Sequence, residues 1–267
     1  DVYKRQGLIV TSITDEGYLT FANVGGVDER TLPSTEVTVH GKEDLWGVIG
    51  IKPNYLLEQG KTARLKELAV DTGLSAEKVK ELAAVGDSIT LAQSVGRLGK
   101  KQFSGKSLDD RASVAAIMRV MKNIKDLDID IDVYAVAAVQ EEVGCRGGKT
   151  TAYGINPDMA VAIDVCHGIT PDNSDNAFEV GTGTVLSIGP NLHPKLTDEL
   201  FAVSKRHGIK VSTDVDGGNT GTDAWEIQVA CDGVPTALIS IPLKYMHTSV
   251  ETLSLIHISE PTRPISI

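Results

Sequence analysis

Near Ser107 the apolar residues of this chain change their spacing, and that change constrains the fold more than any other feature. Upstream, the short runs "LIVTSIT", "YLTFANV", "EVTVHG" and "DLWGVIGI" are separated by Asp-Glu-Gly, Gly-Gly and Gly-Lys turn signals. Regularly spaced short strands predict a small β-barrel or sandwich over Gly7–Leu98. One short helix, "SAEKVKELAAVG", is expected there behind a Ser75 cap. Downstream, "SLDDRASVAAIMRVMKNI" puts Val114, Ile117, Met118 and Met121 on one helical face. The run "IDVYAVAAV", Ile131–Val139, has the composition and length of a buried strand. A helix near Gly147–Tyr153, the strand "DMAVAIDV", the helix "LTDELFAVSKRHG" closed by Gly208, a helical "TDAWEIQVA" and a last strand "PTALISIP" follow. Alternating helices and apolar strands imply an α/β sheet covered on both faces, here over residues 99–252, with the β-barrel-like segment inserted into it.

The two ends are set aside from this reading. "DVYKRQ", residues 1–6, back-translates to a transposon mosaic-end sequencing adaptor, and "LSLIHISEPTR", opening the tail 253–267, back-translates to its reverse complement. Both are expected to be adaptor-derived, which makes Gly7–Thr252 an internal fragment of a longer parent protein and removes His257 from any ligand argument. A net charge of −10 without a basic run argues against nucleic-acid or anionic-membrane partners. No stretch approaches the roughly 20 apolar residues of a membrane helix. Three widely spaced cysteines, Cys145, Cys166 and Cys231, fit reduced thiols in a cytoplasmic protein better than a disulfide frame.

Acidic and histidine residues gather where α/β folds place their sites, at strand ends and adjoining loops. Asp109 begins the helix at "SLDDR", Glu141 and Glu142 end the Ile131 run, Asp164 ends the strand in "VAIDVCHG", and His247 follows the last strand in "IPLKYMHTSVE". Carboxylates converging with a histidine form a divalent-metal site in principle, and without cations such like charges would repel. Several neighbours have blander readings. Asp110, three after Ser107, fits a capping box. Arg111 either orients carboxylates or is an ordinary helix residue. Asp223 in "GTDA" either meets substrate or caps the next helix, with the cap favoured. His40, His193 and His207 read as surface or core histidines.

In order and spacing, "SLDDR", "QEEVGCRGG", "AIDVCHG", "GGNTGTDA" and "IPLKYMHTSVE" resemble the motifs of the M42 metallo-aminopeptidases, which include the TET peptidases. The segment "FANVGGVDERTLPSTEVTVHGKEDLWGVIG" resembles that family's inserted oligomerisation domain. The resemblance implies two divalent ions per subunit in the full-length enzyme, zinc or cobalt, with manganese also admissible. It implies Asp109 as the carboxylate bridging both ions, Glu142 and His247 as further ligands of one, and Asp164 as a ligand of the other. Glu141 matches the general base, and strand alternation would send it and Glu142 to different tasks. Substrate-side roles attach to Asp223 and Arg111. His167, Cys145 and Cys166 match no ligand position. The implied partners are a short peptide substrate and further copies of the chain, from a dimer to a dodecamer, joined through the β-barrel-like domain.

One departure matters. The family's first ligand is a histidine in an "AHMDE"-like motif immediately before the stretch matching "GLIVTSITDEGYL"; here "DVYKRQ" stands in that place. The chain as written is therefore expected to hold at most about one ion tightly and to show negligible aminopeptidase activity. It is also expected to leave an unpaired sheet edge or exposed apolar surface. Two other readings compete. An endoglucanase-like hydrolase would need carboxyls facing each other about 5 Å apart, which neighbouring strand residues do not supply, and aromatic residues for sugar stacking are only 4% of the chain. A non-catalytic peptide-binding or assembly protein on the same fold is the third.

Overall fold

A computed structural model describes residues 7–51, 53 and 64–254; the tail residues 1–6 and 255–267 lie outside it. The chain divides into two compact units, the first comprising residues up to Ser94 with His247–Val250, the second Val95–Met246 and Glu251 onward.

In the first unit β1 (Gly7–Ile13), β2 (Leu19–Val24), β3 (Glu36–His40), β4 (Asp44–Gly50), β5 (Ala69–Asp71) and β6 (Ser88–Leu91) close into a barrel ordered β1-β2-β5-β4-β3-β6. Closure removes the edges that an open sheet would expose. Alternation along each strand aims Leu8, Val10, Leu19, Phe21, Val37, Val39, Ile49, Val70 and Ile89 into one core. The helix α1 (Ala76–Leu82) adds Val79 and Leu82 to that core, and Ser75 caps it by accepting from the Lys78 N–H at 3.4 Å.

The second unit begins with β7 (Gly96–Leu98), which the sequence assigns to the barrel segment. It pairs instead with β8 (Gln102–Gly105), so the three residues ending at Leu98 belong to a different sheet. Next come α2 (Leu108–Ile124) and α3 (Arg146–Ile155), then β9 (Ala160–His167), β10 (Thr184–Ile188), α4 (Pro194–Arg206), β11 (Val211–Val215), α5 (Asp223–Ile227), β12 (Thr236–Leu243) and β13 (Glu251–Ser254). The central sheet runs β11-β10-β12-β9, with parallel pairs at either side and an antiparallel β10–β12 pair between them. Helices α2, α4 and α5 pack on its strands. A three-stranded sheet, β13-β8-β7, completes the unit.

Three sequence expectations differ here. Ile131–Val139 forms no strand and pairs with none among the described residues; Ile131 and Tyr134 are 67% and 63% exposed. Apolar, β-branched composition favours a strand only where a neighbouring ladder exists to receive it. The helix read over "TDAWEIQVA" is confined to α5, five residues long. Leu253 and Ser254, set aside with the tail, extend β13, and Leu253 is fully buried beside Leu108, Val165, Ile241 and Leu243.

Candidate metal centre

Asp109 lies at the start of α2 but off the helical path, with φ/ψ of −73°/110°, followed by Asp110 at −119°/54°; the peptide between them is cis. A helix start leaves N–H groups without intrahelical acceptors. Two are taken from far along the chain: Oε2 of Glu251 accepts from the Leu108 N–H at 2.6 Å and the Asp109 N–H at 3.1 Å. Asp110 Oδ1 accepts from the Ser113 N–H at 3.0 Å. The Ser107–Asp110 capping box does not form, because Ser107 is left-handed (φ 55°) and makes no side-chain cap bond. Asp110 takes the Ser113 N–H, and Glu251 takes those of Leu108 and Asp109. Arg111 donates to the carbonyls of Ser107 (2.7 Å) and Lys106 (2.8 Å), bracing the turn that leads into α2.

Glu141 and Glu142 occupy a 3-10 turn, Glu141–Val143, flanked by Gln140 (φ 58°) and Gly144 (φ 117°). They do not end a strand, so strand alternation is not what separates them. Three residues per turn set successive side chains about 120° apart, which performs the same separation. The turn is seated from behind by the Gly147 N–H, which donates to the Val139 carbonyl at 2.9 Å. The Cys145 thiol donates to Glu141 Oε1 at 3.3 Å.

Asp164 sits inside β9, opposite Ser240 of β12, rather than at the strand end. It is 8% exposed and Oδ1 accepts from the Val165 N–H at 2.7 Å. Burial, and then the charges of Asp110, Glu141 and Asp109, push its carboxyl well above the usual carboxylate range. Burial likewise raises the Cys145 thiol, helped by Glu141, Asp223 and Asp164. Cys166 is pushed up to about 12 by burial and by Asp214, Asp164 and Asp216. Thiols held protonated in an electronegative setting are poor metal ligands.

His247 rides a loop between β12 and β13 whose base is pinched by paired Lys244–Thr252 backbone hydrogen bonds, both 3.0 Å. Asp109, Glu142 and His247 each offer one ligand atom, and these atoms lie within 4.8 Å of one another. Around a tetrahedral ion with bonds of ~2.1 Å, ligand atoms stand roughly 3.4 Å apart, so a small side-chain adjustment closes the trio on a cation. Two carboxylates and an imidazole suit zinc, cobalt or manganese, and three of the residues chosen from the sequence thus fit a divalent ion. Asp164 falls outside that trio but feels the charge of Asp109, Asp110 and Glu141.

The remaining candidates have local roles. His167 is exposed at the end of β9. His40 bonds Asp44 (2.7 Å) and Thr90 (2.9 Å) in the barrel. His193 caps α4, its Nδ1 accepting from the Leu196 N–H at 3.4 Å, and His207 ends that helix. Thr222, not Asp223, caps α5 through its Oγ1 and the Ala224 N–H at 3.3 Å. Asp223 stands in the first turn against Gly148, where an added Cβ would come within 2.5 Å of its Oδ1. Sequence reasoning missed Glu251. The signal was present: a carboxylate four residues beyond His247, at the head of a strand that is otherwise Thr-Leu-Ser.

A helix-flanked mixed sheet with carboxylates and a histidine brought together from separate elements defines an α/β enzyme with a candidate divalent-cation centre. The M42 glutamyl aminopeptidase family model matches residues 6–262, and the chain belongs to that family. It is 34% identical over 253 residues to lysyl aminopeptidase of Pyrococcus furiosus, covering 92% of this chain and 72% of the relative. An aminopeptidase structure from Desulfurococcus kamchatkensis is 36% identical with a TM-score of 0.87, over 95% of this chain and 73% of that one. The TET1 peptidase of Pyrococcus horikoshii, which can assemble into a tetrahedron or a large octahedral shell, is 33% identical with a TM-score of 0.83, over 95% and 77% of the two chains. No helix among the described residues is long and apolar enough to cross a membrane.

Proposed function

We propose that this chain is the catalytic part of a cytoplasmic, metal-dependent aminopeptidase that removes N-terminal residues from short peptides. The observation that carries the reading is the convergence of Asp109, Glu142 and His247 on one small volume, with Glu141 on the same turn as Glu142. In this reading Asp109, Glu142 and His247 would hold one divalent ion, and Asp109 with Asp164 would serve a second. Bound ions would lower the pKa of a water and polarise the scissile carbonyl. Glu141, on the same turn but outside the trio, would serve as the proton acceptor and later the donor to the leaving amine, a role that requires its carboxylate to stay free of metal. Asp223 adds negative charge suited to a substrate's ammonium group, and Arg111 braces the turn that holds Asp109. The barrel joins copies of the chain into a homo-oligomer, as the assembling TET1 relative makes reasonable.

The test uses the full-length parent protein and an aminoacyl-anilide. Chelation should abolish turnover and zinc or cobalt restore it. Glu141→Gln should keep its metal and lose ~10²–10⁴-fold in rate, whereas Glu142→Gln should lose metal. Activity on a β-glucan that survives chelation would favour the endoglucanase-like alternative. Metal-independent peptide binding without turnover would favour the non-catalytic one.

A further inference from the structure

We propose that Glu251 is a positioning residue for metal binding, acting through Asp109. It rests on the reading that Asp109, Glu142 and His247 hold a divalent ion. Glu251 opens β13, pairs across to Gly105 of β8, and is 2% exposed. A carboxylate is rarely buried this fully unless donors compensate for the water it has lost. Here the donors are the Leu108 and Asp109 N–H groups, both on Oε2. They belong to the non-helical stretch at the head of α2, where the backbone N–H groups have no intrahelical acceptors and Ser107 supplies no side-chain cap.

The consequence for the site is geometric. One of the two N–H groups is Asp109's own, so the anchor grips the residue whose carboxylate enters the candidate ligand trio. Asp109 departs from helical φ/ψ, and an off-helix backbone is not held by the i→i−4 ladder; it needs a tertiary anchor. Glu251 provides one across 142 positions of sequence. The same short hairpin, closed at Lys244–Thr252, carries His247. One loop thus delivers a ligand and fixes the backbone of another. Glu251 is itself outside the trio. Groups that orient ligands in this way typically contribute about 10–100-fold in metal affinity.

The experiment compares wild type, Glu251→Gln, Glu251→Ala, Glu142→Gln and His247→Ala in the full-length protein. Zinc affinity is measured by competition with a chelating dye, and cobalt ligand geometry by visible absorption. Glu251→Ala should weaken zinc by about 10–100-fold and alter the cobalt bands. Glu251→Gln, which keeps the shape and one acceptor oxygen, should fall between it and wild type. A purely structural role would lower the melting temperature of folded variants while affinity and cobalt spectrum stayed wild-type, and that result overturns the proposal. If Glu251→Ala does not fold, Glu251→Gln decides alone, and wild-type zinc affinity in it is equally fatal. Unchanged affinity in Glu142→Gln and His247→Ala would instead sink the metal-centre reading beneath it.

Discussion

Two alanine substitutions in α3 should have opposite signs. Gly147 is at the second position of the helix, and a Cβ built on it would overlap the carbonyl oxygen and amide nitrogen of Val139. Both are backbone atoms, so no rotamer change relieves the clash; the segment behind the Glu141–Val143 turn has to move. That motion also lengthens the Gly147 N–H to Val139 carbonyl bond, now 2.9 Å. Overpacking costs about 1–3 kcal/mol and the weakened hydrogen bond about 1 kcal/mol. Alanine's better helix propensity returns about 1 kcal/mol, leaving a net loss of about 1–3 kcal/mol. Gly154, in the last turn of the same helix, has nothing within 4 Å of a built Cβ and no positive φ. There Gly→Ala should stabilise by up to about 0.5–1 kcal/mol. At about 2–4 °C per kcal/mol for a chain of this size, thermal unfolding followed by circular dichroism should separate the variants by roughly 3–16 °C. Gly147→Ala should also weaken zinc binding, because the displaced turn carries Glu142. If the two variants melt together, the close approach of α3 to Val139 does not exist and the seating argument for the two glutamates fails with it.

Other outcomes follow from burial and charge. Asp164→Asn should raise the melting temperature of metal-free protein at neutral pH and lower that of metal-loaded protein. The sign comes from linkage: the folded state raises this carboxyl's pKa, so stability is present below the unfolded pKa and declines as pH rises through the folded value. Scanning pH from the ordinary carboxylate range upward should show a decline that Asn flattens; a decline of equal steepness in the variant would refute the assignment. Alkylation followed by peptide mass analysis should label exposed Cys231 first, with Cys145 and Cys166 lagging because burial and nearby carboxylates hold them as thiols. Faster labelling of Cys145 would contradict its environment. In the barrel, Val39→Ala, at a fully buried position, should cost about 1–3 kcal/mol, which urea denaturation would measure.

The sequence by itself singled out the candidate site residues and four of the six barrel strands. Strand alternation needs only neighbours two apart, and side-chain type alone decides what can bind a cation or accept a proton. Asp109, Glu142 and His247 could be chosen that way because carboxylates and imidazole next to apolar runs have few structural uses. What holds them in place was decided by tertiary structure. The partition of Glu141 from Glu142 comes from a 3-10 turn between left-handed residues, a backbone state that Gln140 does not advertise. Ile131–Val139 has strand composition but finds no ladder among the described residues, since pairing is a property of neighbours and not of the run itself. The anchor on Asp109 comes from Glu251, 142 positions away. Local pattern cannot announce that contact, because a buried carboxylate is legible only once the donors that compensate it have been brought to the same place.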